Sequence, residues 1–137
     1  MVRGGNWKKI DRSLWKGRYA QGRAFLRAAR ESLDMAEEGQ SGNPIMSNAV
    51  LALIAYADAL SIRLGGIQNA KDHATLPQTL KQAMGERAEK GQLDRLQRLI
   101  GQKGRIHYDF RMASIDEARE YTAQVARFAE WAEGFLQ

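Results

Sequence analysis

The chain has 137 residues, 44% hydrophobic and 27% charged, the size and make-up of one globular domain with a single core. It contains no cysteine and two histidines, which excludes disulfides, thiolate metal sites and a histidine-rich metal centre. The formal charge of +5 is unevenly spread: residues 1–30 carry nine Lys/Arg against one Asp, and residues 95–111 carry five against Asp109 alone, a clustering that favours phosphate backbones or another polyanion as partner.

Residues 1–12 read as a basic arm, with Gly4-Gly5 as a flexible element, Trp7 and Ile10 able to dock, and Lys8, Lys9 and Arg12 supplying charge. Residues 13–137 read as a single helical-bundle domain. The first helix is predicted from about Ser13 to Glu38, because Trp15, Tyr19, Gly22, Leu26, Ala29, Leu33 and Ala36 fall in steps of four and three on one face. The glycines and proline of "GQSGNP" (39–44) stop it. Asn43 suits the N-cap and Pro44 the first turn of the next helix. That second helix is apolar on most sides (Ile45, Met46, Val50, Leu51, Leu53, Ile54, Leu60, Ile62), the mark of a central helix. "RLGG" (63–66) ends it, with Gly65 expected as the left-handed residue.

"IQNAKDHA" (67–74) reads as a polar connection and "TLPQTLKQAMG" (75–85) as a short helix, with Thr75 and Gln78 as a capping box and Gly85 as the stop. A fourth helix starts near Gln92 on Leu93, Leu96 and Ile100, and Gly101 and Gly104 predict a kink or end at "GQKG". Ser114 and Glu117 form a capping box for the last helix, whose inner face is Ala118, Tyr121, Val125, Phe128, Ala132 and Phe135. No segment shows period-two alternation. The expected fold is an all-α bundle of four or five helices. The basic N-terminus lacks an apolar h-region, and the apolar run Ala49–Leu60, which includes Tyr56 and Asp58, reads as too short to span a bilayer; the expectation is a cytoplasmic protein without membrane association.

Four places offer chemistry. In "QKGRIHYDF" (102–110), Lys103 and His107 lie four apart on one helical face with Ile100, Phe110 and Arg111. One reading is an imidazole kept basic by nearby cations that also stabilise a phosphate; the other is His107 and Tyr108 closing a core, with the cations in solvent. Asp58, in the most apolar helix, needs a partner, either His107 or an arginine from a neighbouring helix. His73 reads as a solvated loop residue able to cap the short helix or reach a site. The basic arm with Trp7 and Trp15 has the cation-plus-aromatic character of a nucleic-acid surface, although Trp15 also fits the buried stripe. P-loop, GxGxxG, HExxH and GxSxG patterns are absent, and no cofactor or metal is expected.

The order of a long helix, a central apolar helix, a short helix opening on "DHATLPQTL" (72–80), a fourth ending in "RLIGQKGRIHYDFR" (98–111) and a long last helix resembles the HEPN domains over roughly residues 13–136. The resemblance implies a HEPN-like bundle, commonly paired as a homodimer. Its members include metal-independent ribonucleases, among them toxins, and non-catalytic proteins that bind nucleotides or accompany nucleotidyltransferases. The family's catalytic signature is an Arg followed, after four to six residues, by a His. His107 matches the His, while the Arg positions hold Ile100, Gly101 and Gln102. The resemblance therefore implies either a ribonuclease with His107 as acid or base, Lys103 or Arg105 in place of the arginine and Asp58 orienting the histidine, or a non-catalytic module. We favour the second: binding of RNA, a nucleotide or an acidic protein partner such as an antitoxin or nucleotidyltransferase, through Arg98, Lys103, Arg105 and Arg111 together with Lys8, Lys9 and Arg12. A third expectation is a helical interaction protein that works through its basic arm alone.

Overall fold

A computed structural model describes residues 6–108 and 111–137, and of Tyr108 the backbone alone. Gly4, Gly5, Asp109 and Phe110, and the side chain of Tyr108, lie outside the described residues. The chain folds as an all-α bundle of α1 (Trp15–Met35), α2 (Asn43–Gly65), α3 (Leu76–Met84), α4 (Lys90–Gly101), α5 (Lys103–Tyr108) and α6 (Ile115–Glu133), with a two-stranded ribbon of β1 (Trp7–Lys9) and β2 (Ile67–Asn69).

α2 is the axis of the bundle. A helix with apolar side chains on nearly every side has no face to give to water, so other elements must surround it. Between Ile45 and Ile62 it is buried almost throughout; Leu51, 38% accessible, is its one exposed apolar side chain. At 23 residues it is long and apolar enough to cross a membrane by length and composition, which the shorter run read from the sequence did not register, and most of it is buried inside the bundle. α1, α3 and α6 pack most extensively on it, and α5 lies against it as well.

Close approach requires glycine at three of these seams. A Cβ on Gly22 would sit 3.0 Å from the Tyr56 ring, one on Gly65 2.6 Å from the Ala83 Cβ, and one on Gly42 2.3 Å from the Ser114 carbonyl oxygen. Tyr56 and Tyr19 both donate their hydroxyls to the Glu133 carboxylate, so one acid ties α1, α2 and α6 together. Burial first, and that acid second, push the Tyr56 hydroxyl far above its usual pKa.

Several helix ends differ from expectation. Gly42 occupies the cap position of α2, because the Asn43 side chain is used elsewhere: its Oδ1 accepts from the Ala113 amide (2.8 Å) and its Nδ2 donates to the Ile106 carbonyl (2.9 Å). Gly66, not Gly65, takes the left-handed conformation (φ 64°) that ends α2. Thr75 and Gln78 form no capping box. Thr75 bonds Asn69 and the Asp72 carbonyl, and Gln78 accepts from Asn6. The break at "GQKG" is present as the α4–α5 junction at Gln102, and the Ser114–Glu117 capping box is complete.

The N-terminal segment is bound to the bundle rather than extended as an arm over its described part. Trp7, Lys8 and Lys9 pair antiparallel with Asn69, Gln68 and Ile67. The Ala70 amide donates to Asn6 (2.7 Å), the Ile10 amide to Gly66 (3.0 Å), and the Arg12 guanidinium to the Arg63 carbonyl (2.9 Å). Three-residue strands are too short to show alternation, which is why the sequence pattern holds no sign of them.

The glycine seams make a paired prediction for urea denaturation. Gly42→Ala drives a Cβ into the Ser114 carbonyl and is expected to cost about 1–3 kcal/mol. Gly17→Ala, where a Cβ meets nothing within 4 Å on the exposed side of α1, is expected to stabilise by about 0.5–1 kcal/mol.

Candidate functional site

Asp58 occupies the C-terminal half of α2 and is 7% exposed. A carboxylate so placed needs a counter-charge and hydrogen bonds. Arg18 of α1 supplies both, with Nη2 at 2.9 Å and Nε at 3.2 Å from the same carboxylate oxygen, and the neighbouring Gln68 of β2 also favours the charged form. Burial nevertheless outweighs the arginine and holds the Asp58 carboxyl above its usual range.

Gln68 links this pair to the ribbon. Lys8 opposes Gln68 across the ribbon and is exposed. The chain then passes through Asp72, whose side chain caps the one-turn helix His73–Thr75 by accepting from the Ala74 amide. This turn holds His73 half-buried rather than loose in solvent. Burial, then the Lys103 cation, lowers the His73 pKa from its ordinary value; Asp58 and Asp72 pull the other way, and Arg18 adds to the lowering.

His73 and Lys103 also line one cavity of about 400 Å³, together with Asp72, Gln97 and Ile100 and the backbone of Gly101 and Gly104. Five elements thus converge at this end of the bundle: α1 through Arg18, α2 through Asp58, the ribbon through Gln68 and Lys8, the turn before α3 through His73, and the α4–α5 junction through Lys103. Arg18 and Gln68 are the members that sequence reasoning did not name, and His73, read as solvated with a site role as the alternative, is half-buried at the cavity. The signal for Arg18 was the unmet charge of Asp58 in an apolar helix.

His107 is elsewhere. It is exposed, and its Nε2 lies 2.8 Å from the Ser47 hydroxyl near the start of α2. Ser47 and Asp58 are eleven residues apart on one helix, roughly 16 Å of helical rise. Asp58 therefore does not orient His107. Arg105 turns to Glu117 (2.9 Å), as does Arg111 (3.0 Å), and the Ser114 amide, followed by these two arginines, holds the Glu117 carboxyl below its usual range. Lys103 shares its helical face with His107 and reaches the His73 cavity. Arg98 is exposed, makes no ion pair among the described residues, and lines a hollow of about 220 Å³ with Gln102, Glu120 and Gln124. Of the N-terminal cations, Lys8 and Lys9 are exposed, and Arg12 is engaged with Arg63.

A larger hollow of about 680 Å³ runs beside α1, lined by Arg23, Arg27 and Arg30 but also by Glu31, Asp34 and Glu133. Its charges balance, so it favours neither sign of ligand. No cluster of three or more His, Asp or Glu side chains with metal-binding geometry occurs among the described residues. Neither family models nor curated proteins show a match to this chain.

The buried pair carries its own test. Arg18→Met strands Asp58 and is expected to cost about 3 kcal/mol, whereas Arg18→Met combined with Asp58→Leu is expected to recover most of that loss. Denaturation of the two single variants and the double variant measures the coupling.

Proposed function

We propose that the chain is a HEPN-like, non-catalytic RNA- or nucleotide-binding module that holds its ligand where Lys8, Arg18, His73 and Lys103 gather at one end of the bundle. The observation that carries this reading is that Lys103 and the half-buried His73, from separate parts of the chain, line one cavity, close to a carboxylate already matched by its own arginine. Arg98 and Lys9 extend the positive surface. The order of helices, with the central apolar α2 and the α4–α5 break, supports the HEPN-like assignment.

RNA cleavage at His107 is the weaker reading, because Arg105 is engaged with Glu117 and Asp58 with Arg18, and Lys103 lines the His73 cavity. A homodimer enters this reading through the HEPN resemblance. An acidic protein partner would use the same cations.

Binding to fluorescent single-stranded RNA, followed by anisotropy across a KCl series, tests the proposal. The expected affinity falls with salt by a slope of about 0.7 per phosphate contact. Lys103→Gln and Lys8→Gln each lower that slope, while His107→Ala leaves it unchanged and the RNA stays intact in EDTA. RNA cleavage in EDTA that disappears in His107→Ala would establish the ribonuclease instead. No RNA or nucleotide binding at low salt would turn the search to an acidic protein.

A further inference from the structure

The α4–α5 junction contains two glycines that the packing of the protein does not require. Gly101 and Gly104 both line the cavity beside His73 and Lys103, and among the described residues a Cβ built on either meets nothing within 4 Å. Neither has a positive φ. Each lies at or within a helix end, where glycine is among the poorest helix formers. The seams at Gly42 and Gly65 have a steric reason for glycine; at this junction the glycines mark the break between α4 and α5, and their backbone is left uncovered. Open space held by two glycines, next to a half-buried lysine and a half-buried histidine, is what close approach of a ligand to the backbone demands.

The other walls describe the ligand. About 400 Å³ is the size of a small-molecule pocket. The end of α4 and the start of α5 bring opposite partial charges to the junction, so side chains set the sign of the site. Lys103 is a fixed cation with three donors. His73 offers a ring nitrogen and can accept a proton. Ile100 gives an apolar surface, and Gln97 and Asp72 give polar groups at the wall. Arg18 is held by Asp58, so the cavity wall carries one cation, Lys103, and one carboxylate, Asp72, whose Oδ1 accepts from the Ala74 amide; the wall becomes net positive when His73 gains a proton.

We propose that this cavity binds a phosphate monoester, with Lys103 and His73 as the pair that grips it and the two glycines as the floor it rests on. This deepens the RNA and nucleotide reading and rests on it for the source of the phosphate, either the end of an RNA chain or a free small molecule. The groups facing His73 are Lys103 and Arg18, which oppose its protonation, and Asp58 and Asp72, which favour it. A dianion entering beside Lys103 reverses the balance. His73, neutral in the empty site at pH 7.5, takes up a proton as the ligand binds.

Calorimetric titration of the full chain with adenosine 5′-monophosphate at pH 7.5, with adenosine as the unphosphorylated control, tests this. Binding of the phosphate compound alone is expected, with net proton uptake revealed by the difference in heat between two buffers of unlike ionisation enthalpy. Lys103→Gln is expected to weaken binding by about tenfold or more, and His73→Gln to abolish the proton uptake. Gly101→Ala and Gly104→Leu are expected to keep or raise the melting temperature while weakening binding, a combination that a purely structural role for the glycines does not produce. RNA oligonucleotides with a 5′-phosphate or a 5′-hydroxyl separate the two sources: tighter binding of the phosphorylated chain assigns the RNA end, and equal binding assigns the free compound. Failure of adenosine 5′-monophosphate and inorganic phosphate to bind at millimolar concentration, or binding indifferent to Lys103→Gln and His73→Gln, overturns the inference. RNA binding without monoester binding would remove this site and leave the RNA reading standing; monoester binding without RNA binding would do the opposite.

Discussion

The bundle is organised by the need to enclose α2. Each large aliphatic side chain moved fully out of water contributes about 1.5–3 kcal/mol, and α2 presents such side chains in every direction along most of its 23 residues. No single partner can cover it. α1 and α6 meet it on their own apolar stripes, α3 meets it at its C-terminal half, and α5 packs against it as well. The other helices are amphipathic because each has only one such surface to satisfy. Asp58 is the exception inside this helix, and it imposes a second demand. Its charge costs too much to bury alone, so an arginine from α1 and a glutamine from the ribbon are drawn to it. The packing of apolar groups and the gathering of polar ones are in this way two results of the same buried helix.

That gathering shapes the electrostatics of the candidate site. Because Asp58 is matched by Arg18, Asp72 is the one carboxylate left on the cavity wall to offset Lys103. His73 is held neutral chiefly by burial, and Lys103 reinforces this. The ribbon adds Lys8 from a part of the chain some sixty residues away in sequence from its pairing partner. The positive surface is therefore a product of tertiary folding, and the dense local run of basic residues around His107 is partly spent on Glu117.

What could be read from the sequence follows from the range of the interactions involved. Helical faces repeat within a few residues, so the stripes of α1 and α6, the all-round apolarity of α2, the break at Gln102 and the Ser114–Glu117 capping box were legible. The β1–β2 ribbon was not, since its strands are three residues long and their pairing is remote. The Thr75–Gln78 box failed because Asn69, six residues upstream, and Asn6, remote in sequence, claim those side chains. For the site, the unusual burial of Asp58 was visible, but its partner was not, because several arginines were available to it. His73 looked like a loop residue until Asp72 fixed the turn that holds it.

The capping box at the start of α6 carries more than one duty. The Glu117 carboxylate accepts the Ser114 amide, and it is also the shared acceptor for Arg105 and Arg111. A polyanion that recruited those two arginines would compete with Glu117 for them and loosen the restraint on its side chain. Occupancy near α5 would then be felt in the first turn of α6, as faster exchange of the amide hydrogens there. The joint between the two helices would act as an internal reporter, its tightness measuring how much of the basic surface is free.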